Sequence, residues 1–328
     1  MSNIKQCQSW QHVLRQNFTQ WNLLADFLEL TQDQQKSILA KPQFSLNLPL
    51  RLAQKITKGT LDDPILRQFL PTEQEVQITE GFEQDPVGDQ SCRKASKLLH
   101  KYEGRVLLVC TSACAMHCRY CFRQNFEYDV VDKTYSQEIE MISQDTSLHE
   151  VILSGGDPLS LPDRILKNLL ESISAIPHIR RVRFHTRFPI GIPERIDSEF
   201  LAIIKAIPQQ ILFVIHANHA FELDADVLAG LKELQKLGVV VLNQAVLLHG
   251  VNDTIESQKD LCERLVDHGI LPYYLHQLDR VQGAAHFEVP ESEGRLLIEA
   301  LKQQLPGYAI PKYVREIAGK PSKTSLLE

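Results

Sequence analysis

The chain has 328 residues, of which 43% are hydrophobic and 23% are charged. It can therefore form one large core, and its composition excludes a disordered or fibrous protein. The formal net charge is -6 and no segment is strongly basic, which argues against nucleic-acid binding. No apolar run approaches the roughly 18 residues of a membrane span, and the N-terminus has no signal-like stretch. We expect a cytoplasmic protein with no membrane contact.

The first 95 residues predict a helical extension. Apolar side chains recur at helical spacing from residue 10 to residue 30, which is typical of amphipathic helices. The segment that follows is interrupted by Pro42, Pro49, Pro64, Pro71 and Pro86. We therefore predict that residues 1–95 pack as a helical N-terminal extension on a larger domain.

Beyond residue 105, short apolar runs typical of strands alternate with segments of helical periodicity. The predicted strands cover 106–110, 150–156, 181–187, 210–218, 239–248 and 271–279. The predicted helices cover 136–145, 163–176, 198–207, 224–238, 254–269 and 291–305. Six such pairs indicate an α/β fold in which right-handed crossovers curl a parallel sheet into a partial (β/α)6 barrel.

This fold predicts both the domain limits and the location of the site. We assign residues 96–290 to the barrel and residues 291–328 to a C-terminal helix and segment. Reactive residues of such barrels lie at the C-terminal ends of the strands and in the loops that follow. We therefore expect the functional residues there.

The cysteines give the strongest chemical signal. Cys114, Cys118 and Cys121 form C-x-x-x-C-x-x-C on the loop after the first predicted strand. Three thiolates can bind three irons of a [4Fe–4S] cluster and leave the fourth iron open to a ligand. A zinc site with His117 as fourth ligand is the alternative, although paired C-x-x-C repeats are the commoner zinc pattern. The odd total of seven cysteines argues against a disulfide framework. We expect buried or incidental thiols at Cys7, Cys92, Cys110 and Cys262.

Five further segments accompany the cysteine motif: HKYEGRVLLVC at 100–110, SGGDPL at 154–159, NQAVLLHGVND at 243–253, YYLHQLD at 273–279 and PSKTSL at 321–326. In order and approximate spacing, they resemble the lysine 2,3-aminomutase family of radical S-adenosylmethionine enzymes. The resemblance implies an isomerase that moves the α-amino group of lysine to the β-carbon. It also implies three cofactors: a [4Fe–4S] cluster, S-adenosylmethionine and pyridoxal 5′-phosphate.

Within this family the chain resembles the short branch of elongation factor P β-lysylation proteins, because it stops just after Ser322-Lys323-Thr324. That branch implies (R)-β-lysine as product and a pathway link to elongation factor P and its lysyl-transferring ligase. Longer members use a cysteine after the V-N-D motif in a structural zinc site, whereas this chain has Thr254. We therefore expect neither that zinc site nor the tail-dependent tetramer.

The resemblance assigns S-adenosylmethionine to the ends of three strands. Gly155, Gly156 and Asp157 match the segment that binds its amino group, and glycines allow a backbone to approach a ligand closely. An ordinary turn at the end of a strand is the alternative for this segment. The resemblance adds His216 and Gln244 as further contacts, although a lone histidine at the end of a strand is more often only hydrogen-bonded.

The resemblance also locates the pyridoxal phosphate site. Lys323, in the K-T pair, matches the lysine that forms the Schiff base, and Lys320 is a nearby competitor. Lys101, Tyr102 and Arg105 match the segment that contacts the phosphate, where basic and hydroxyl donors suit an anion. Lys101 stands where the family usually has arginine.

Three charged residues are implied to bind the substrate. Arg123 matches the arginine that holds its carboxylate, and Asp279 and Glu316 match the acids that hold the distant ammonium of lysine. Two acids in a shielded site need a cation, which favours lysine over glutamate. An aminomutase for another amino acid, a radical maturase acting on a peptide and a non-catalytic iron–sulfur electron carrier stay open as alternatives.

Overall fold

A computed structural model describes residues 9–128 and 134–327; Cys7 lies outside these ranges. The N-terminal extension contains four short helices: α1 (Trp10–Leu14), α2 (Trp21–Phe27), α3 (Gln32–Gln35) and α4 (Leu50–Ala53). The helical pattern of residues 10–30 is thus divided between α1 and α2. The division arises because Phe18 and Leu48 exchange two backbone hydrogen bonds, of 2.8 and 3.0 Å, and form an isolated β-bridge.

The extension packs on the barrel as predicted. Leu24, Leu28 and Leu52 are fully buried and belong to the same hydrophobic core as the barrel strands. The Trp10 ring contacts the edge of Phe188 at a centroid distance of 5.5 Å. The extension is therefore bound to the barrel through apolar contacts.

One ten-stranded sheet follows, with its strands in the order of the sequence. Its strands are β1 (Arg93–Ala95), β2 (Leu98–Tyr102), β3 (Arg105–Thr111), β4 (Glu150–Gly155), β5 (Arg181–Thr186), β6 (Gln210–Ile215), β7 (Val240–Val246), β8 (Leu271–His276), β9 (Lys312–Arg315) and β10 (Thr324–Ser325). The strands from β3 to β9 pair in parallel. Antiparallel pairs form both ends of the sheet, with β1 and β2 at one end and β10 at the other.

Helices cover the sheet between successive parallel strands. They are α5 (Ser136–Gln144), α6 (Asp163–Ser174), α7 (Phe188–Gly191), α8 (Ser198–Lys205), α9 (Ala225–Lys236), α10 (Ile255–Val266) and α11 (Glu291–Lys302). In α6 the buried residues Leu166, Leu169, Leu170 and Ile173 follow helical spacing, so one face of the helix packs on the sheet. No helix within the described ranges is long and apolar enough to cross a membrane.

The predicted partial barrel is confirmed, because all six strand–helix pairs form in the predicted order. The sequence analysis missed β9, a seventh parallel strand, and the antiparallel strands at both ends of the sheet. Strands β9 and β10 are short, with four and two residues, which is too few for a recognisable periodic pattern. The division at residues 95 and 290 stays a prediction.

Candidate active site

The barrel encloses one large cavity of about 780 Å³, a size suited to small-molecule ligands. Residues from all seven parallel strands line it. They include residues at both ends of the strands, such as Arg105 at the start of β3 and Gly155 at the end of β4. Every residue that the sequence analysis assigned to the site lines this cavity. The structure therefore brings together groups that are spread over more than 200 positions of the chain, such as Tyr102 and Glu316.

The three motif cysteines lie on the loop after β3, and each lines the cavity. Burial raises the pKa of Cys114 well above its usual value, and Asp157, Cys121 and Cys118 raise it further. Burial, with a contribution from Cys118, also raises the pKa of Cys121 to about 11. The three thiols are thus close enough to influence one another. Iron binding would replace their protons, as metal binding to thiols does generally.

The candidate fourth zinc ligand, His117, is engaged elsewhere. Among residues 9–128 and 134–327, no group of three His, Cys, Asp or Glu side chains is arranged to hold a metal ion. His117 stacks on Phe44 at 4.6 Å and its Nδ1 lies 2.8 Å from the Ser45 carbonyl oxygen. Its ring therefore contacts the N-terminal extension. In a [4Fe–4S] cluster each cysteine binds a different iron, so the thiols need not converge on one point.

The SGGD segment supports the cysteine loop. Gly156 donates a 2.6 Å backbone hydrogen bond to Thr111 and Asp157 donates one of 2.8 Å to Ala113. A Cβ on Gly156 would lie 2.4 Å from the Ala113 carbonyl oxygen, and Gly155 has a φ of +119°. Both positions therefore require glycine for the backbones to approach, whether or not a ligand is bound.

Gly156→Ala should displace the loop that carries Cys114, because the added methyl group meets backbone atoms that cannot rotate away. We expect the variant to bind less than half as much iron as the unaltered protein after anaerobic reconstitution, and to lose about 1–3 kcal/mol of stability. Gly307→Ala is the matched control, since a Cβ there has no neighbour within 4 Å. Normal iron content in Gly156→Ala would contradict this role.

The structure gives the Asp157 carboxylate a role within the protein. Its Oδ1 accepts from the Thr186 hydroxyl at 2.7 Å and from the Leu159 N–H at 3.0 Å, and its Oδ2 accepts from the N–H groups of Arg187 and Phe188. These bonds use the acceptor positions of both oxygens. Asp157 therefore orients the turn after β5 that carries Arg187. The predicted contact of this segment with S-adenosylmethionine stays a prediction.

His216 and Gln244 present unsatisfied polar atoms at the cavity. His216 Nε2 and Gln244 Oε1 are buried and have no hydrogen-bond partner in the described part of the chain. Burial, with smaller effects from nearby cations, lowers the pKa of His216 to about 3, so its imidazole is neutral. Buried polar atoms normally have partners. The two side chains therefore fit a polar ligand such as S-adenosylmethionine.

A row of alternating charges crosses the cavity from Arg123 to Lys323. Asp89 accepts from Arg123 Nε at 2.7 Å and pairs with Lys101 at 2.7 Å. Lys101 Nζ lies 3.7 Å from Glu316, and Lys323 Nζ donates to Glu316 at 2.9 Å. Burial alone would raise the pKa of Asp89, but Arg123 and Lys101 outweigh it and lower that pKa. The row keeps its carboxylates ionised.

Lys323, and not Lys320, faces the cavity. Lys323 is half-buried and lines the cavity, whereas Lys320 is exposed and does not. Glu316, the partner of Lys323, also accepts a hydrogen bond from the Tyr102 hydroxyl. Burial raises the pKa of Glu316, but Lys323 and Tyr102 outweigh that effect, so the pKa is lowered. In this structure Glu316 binds the predicted Schiff-base lysine.

Arg105 fits the predicted phosphate site. Its guanidinium lies 4.5 Å from the centre of the Tyr102 ring and lines the cavity. Among the residues that the structure describes, no carboxylate forms an ion pair with Arg105. Lys101, by contrast, already pairs with Asp89 and donates to the Val87 carbonyl oxygen at 2.8 Å. Arg105 therefore has donors available to a phosphate, whereas those of Lys101 are already used.

Asp279 is the acid without a partner. No described side chain forms an ion pair or hydrogen bond with its carboxylate, which lines the cavity. Burial raises the pKa of Asp279 to about 7; Lys323 opposes this effect and Glu316 adds to it. A carboxylate with a raised pKa is stabilised in its charged form by a cation placed beside it.

Several cavity residues were not predicted from the sequence, among them Asp89, His185, Arg187 and His276. Asp89 precedes a single helical turn at Gln90–Cys92, and no pattern marks it. His276 lies within the YYLHQLD segment, and its buried Nε2 has no partner among the described residues. A histidine near the end of a predicted strand was the available signal, since such positions face the site in barrels.

Three comparisons place these features among known proteins. Residues 108–265 match the model of the radical S-adenosylmethionine superfamily. The chain is 39% identical to the L-lysine 2,3-aminomutase of Haemophilus influenzae, over 99% of this chain and 97% of the relative. It is 42% identical to the L-lysine 2,3-aminomutase of Escherichia coli, over 88% of this chain and 84% of the relative.

A solved structure has a related fold. The crystal structure of Streptococcus suis SuiB bound to S-adenosylmethionine superposes with a TM-score of 0.51 and 16% sequence identity. The match covers 66% of this chain and 51% of that chain. At this identity the likeness concerns the fold.

Proposed function

The chain belongs to the lysine 2,3-aminomutase family of radical S-adenosylmethionine enzymes, which are isomerases, and on that premise we propose that it converts L-lysine into β-lysine. The proposal includes a [4Fe–4S] cluster on Cys114, Cys118 and Cys121, S-adenosylmethionine, and pyridoxal phosphate on Lys323. The three thiols, the unsatisfied His216 and Gln244, and Lys323 in the same cavity as Arg105 fit these groups.

One observation carries the choice of substrate: the same cavity contains a buried arginine with a free donor and a carboxylate with no cation. Arg123 uses Nε on Asp89 and Nη1 on Ser154, at 2.7 and 3.1 Å. Its Nη2 has no hydrogen-bond partner in the described ranges. Asp279 likewise has none. An amino acid with a carboxylate at one end and an ammonium at the other complements this pair.

The protein's own residues would hold the substrate at both ends. Arg123 binds the carboxylate through Nη2 while Asp89 fixes its orientation. Asp279 accepts from the distal ammonium, which restores charge balance in a buried site. Glu316 and Tyr102 hold Lys323 at the cavity wall, where its amine is available for covalent attachment of the cofactor.

When bound, the cofactors would supply the radical and a conjugated imine that stabilises it while nitrogen moves from the α- to the β-carbon of lysine, and the barrel would supply placement and exclude water. Arg123 and Asp279 act from separate elements, so lysine is fixed at two points. Two-point binding limits the motion of the carbon atoms between them.

We further propose that the product is (R)-β-lysine and that it serves the modification of elongation factor P. One feature supports this assignment: Thr254 occupies the position where longer members have a zinc-binding cysteine. In the structure Thr254 caps α10, accepting from the Ser257 N–H at 3.2 Å.

An anaerobic assay tests the proposal. The protein is reconstituted with iron and sulfide, then supplied with S-adenosylmethionine, pyridoxal phosphate, reductant and L-lysine. We expect β-lysine of R configuration, detected by mass spectrometry after chiral derivatisation. L-Glutamate and L-ornithine in place of L-lysine control for the position of the ammonium, and both should give far less product.

The same assay separates the alternatives. Cleavage of S-adenosylmethionine without β-lysine would keep the radical enzyme and reject lysine as substrate. A reduced cluster that cleaves no S-adenosylmethionine, in a protein with no pyridoxal absorbance, would favour an iron–sulfur electron carrier.

A further inference from the structure

Arg187 connects the barrel to the cysteine motif. Its Nη1 donates to Cys118 Sγ at 2.8 Å and to the Tyr120 hydroxyl. Its Nη2 donates to Gln68 Oε1 at 2.6 Å and to Glu222 Oε2 at 2.7 Å. The four terminal N–H groups of the guanidinium are thus all used, and one points at a thiol.

The guanidinium is fixed from several directions. Asp157 accepts from the Arg187 backbone N–H at 2.8 Å, and the Phe69 ring lies 4.8 Å from the guanidinium carbon. Arg187 is 6% exposed and Glu222 is fully buried. A planar guanidinium held in this way cannot turn from the thiol without breaking other bonds.

The partners of Arg187 come from separate parts of the chain. Gln68 belongs to the N-terminal extension, and Glu222 lies after β6, where its Oε1 accepts from the N–H groups of Asn218 and His219 at 2.9 and 3.0 Å. Asn218 donates to Gln68 and to the Tyr120 hydroxyl. The network satisfies its buried polar groups, as such networks must to be stable, except for Arg187 Nε, which has no partner among the described residues. It therefore holds one N–H donor at Cys118 with little freedom to move.

We propose that Arg187 is a positioning residue that raises the reduction potential of the cluster by donating a charged hydrogen bond to the sulfur of Cys118. The inference rests on the cluster site of the proposed function. Reduction adds one electron, from an external reductant, to a group already bound by three thiolates. A buried cation beside one of these sulfurs stabilises the more negative, reduced state, since hydrogen bonds to sulfur and nearby charge set cluster potentials.

The network also predicts how two variants should differ from the unaltered protein in the reduction potential of the cluster. Glu222 opposes the charge of Arg187, so Glu222→Gln should leave more positive charge near Cys118 and make the cluster easier to reduce. The glutamine keeps an oxygen for the Asn218 and His219 N–H groups. Arg187→Met combined with Glu222→Gln removes both buried charges and the N–H⋯S bond, so it should make the cluster harder to reduce without leaving a lone buried charge.

The test is a redox titration of the reconstituted clusters, followed by electron paramagnetic resonance, with iron content measured in each sample. We expect the double variant to show about a tenfold lower ratio of reduced to oxidised cluster at a fixed potential, equal to about 59 mV for one electron. Glu222→Gln should raise the ratio. Arg195→Met with Asp163→Asn is the matched control, because that ion pair is buried at Arg195 and does not line the cavity; its ratio should not change.

Equal ratios in all four proteins, with equal iron content, would overturn the inference and leave the cluster assignment intact. No cluster in the unaltered protein would instead remove the proposed function. If the double variant binds no iron, Glu222→Gln decides alone: an unchanged or lower ratio overturns the inference, and a higher ratio supports it.

Discussion

Lys323→Ala is expected to lose β-lysine formation by about a thousandfold or more, the scale on which removal of a covalent catalytic group acts. The protein should also fail to retain pyridoxal phosphate after gel filtration. Both effects follow from the amine: Lys323 lines the cavity, and its Nζ lies 2.9 Å from Glu316. The iron content should remain normal, since the cysteine loop is built from other elements.

The same variant removes the cation that pairs with Glu316. Glu316 then keeps the Tyr102 hydroxyl and Lys101 at 3.7 Å as partners, so its charge is not left alone in the cavity. We therefore expect a folded protein, and near-native circular dichroism and melting temperature provide the check. Lys320→Ala is the matched control because Lys320 is exposed, and it should retain both cofactor and activity.

Trapping identifies the attachment site directly. Borohydride reduction of the loaded protein, followed by peptide mapping, should find the pyridoxyl mass on the peptide that contains Lys323. A label on Lys320, or full activity in Lys323→Ala, would reject the assignment and return the choice to other lysines of the cavity.

The order of elements and the location of the site could be predicted from the sequence because both follow local patterns. Each of the six predicted strands is a short apolar run, and a parallel barrel gathers the ends of such strands at one place. The loop that follows β3 therefore had to bring the cysteines near Gly155 and His216. The strands β9 and β10 could not be predicted because they are too short to show a periodic pattern.

Individual contacts of the site could not be predicted in the same way. Asp157 was expected to face a ligand, yet its oxygens bind Thr186 and the backbone after β5. Glu316 was expected to bind the distal ammonium of the substrate, yet in the structure it pairs with Lys323. Each outcome depends on groups from separate elements that meet only after folding, such as Tyr102 beside Glu316. Residue type and spacing indicate which groups approach the cavity, but the pairing depends on tertiary distances.

Asp279→Asn is expected to lower kcat/KM for lysine by about 30-fold or more, because loss of one partner from a buried charge pair costs about 2–5 kcal/mol. The amide keeps the shape of the side chain and removes its charge, so iron content and pyridoxal absorbance should not change. Asp267→Asn is the control, since Asp267 is exposed after α10 and does not line the cavity.

The pH dependence tests the same role independently. Burial raises the pKa of Asp279 to about 7 in the free protein, so the residue carries a proton below that pH and cannot attract an ammonium. We expect kcat/KM of the unaltered protein to fall by about tenfold per pH unit on the acid side. Lysine keeps its distal ammonium from roughly pH 5.5 to 7.5, so loss of that distal charge does not produce this fall.

Stability supplies the check that Asp279→Asn remains folded. The folded protein holds a proton on Asp279 at pH values between about 4 and 7, where the unfolded chain has released it. The stability that this residue contributes is therefore present at low pH and is lost as the pH rises through 7. The asparagine variant carries no such ionisation, so at pH 8 it should melt no earlier than the unaltered protein. Suppose that Asp279→Asn melts no earlier than the unaltered protein and that its kcat/KM still falls on the acid side. Another group would then cause that fall and bind the distal ammonium.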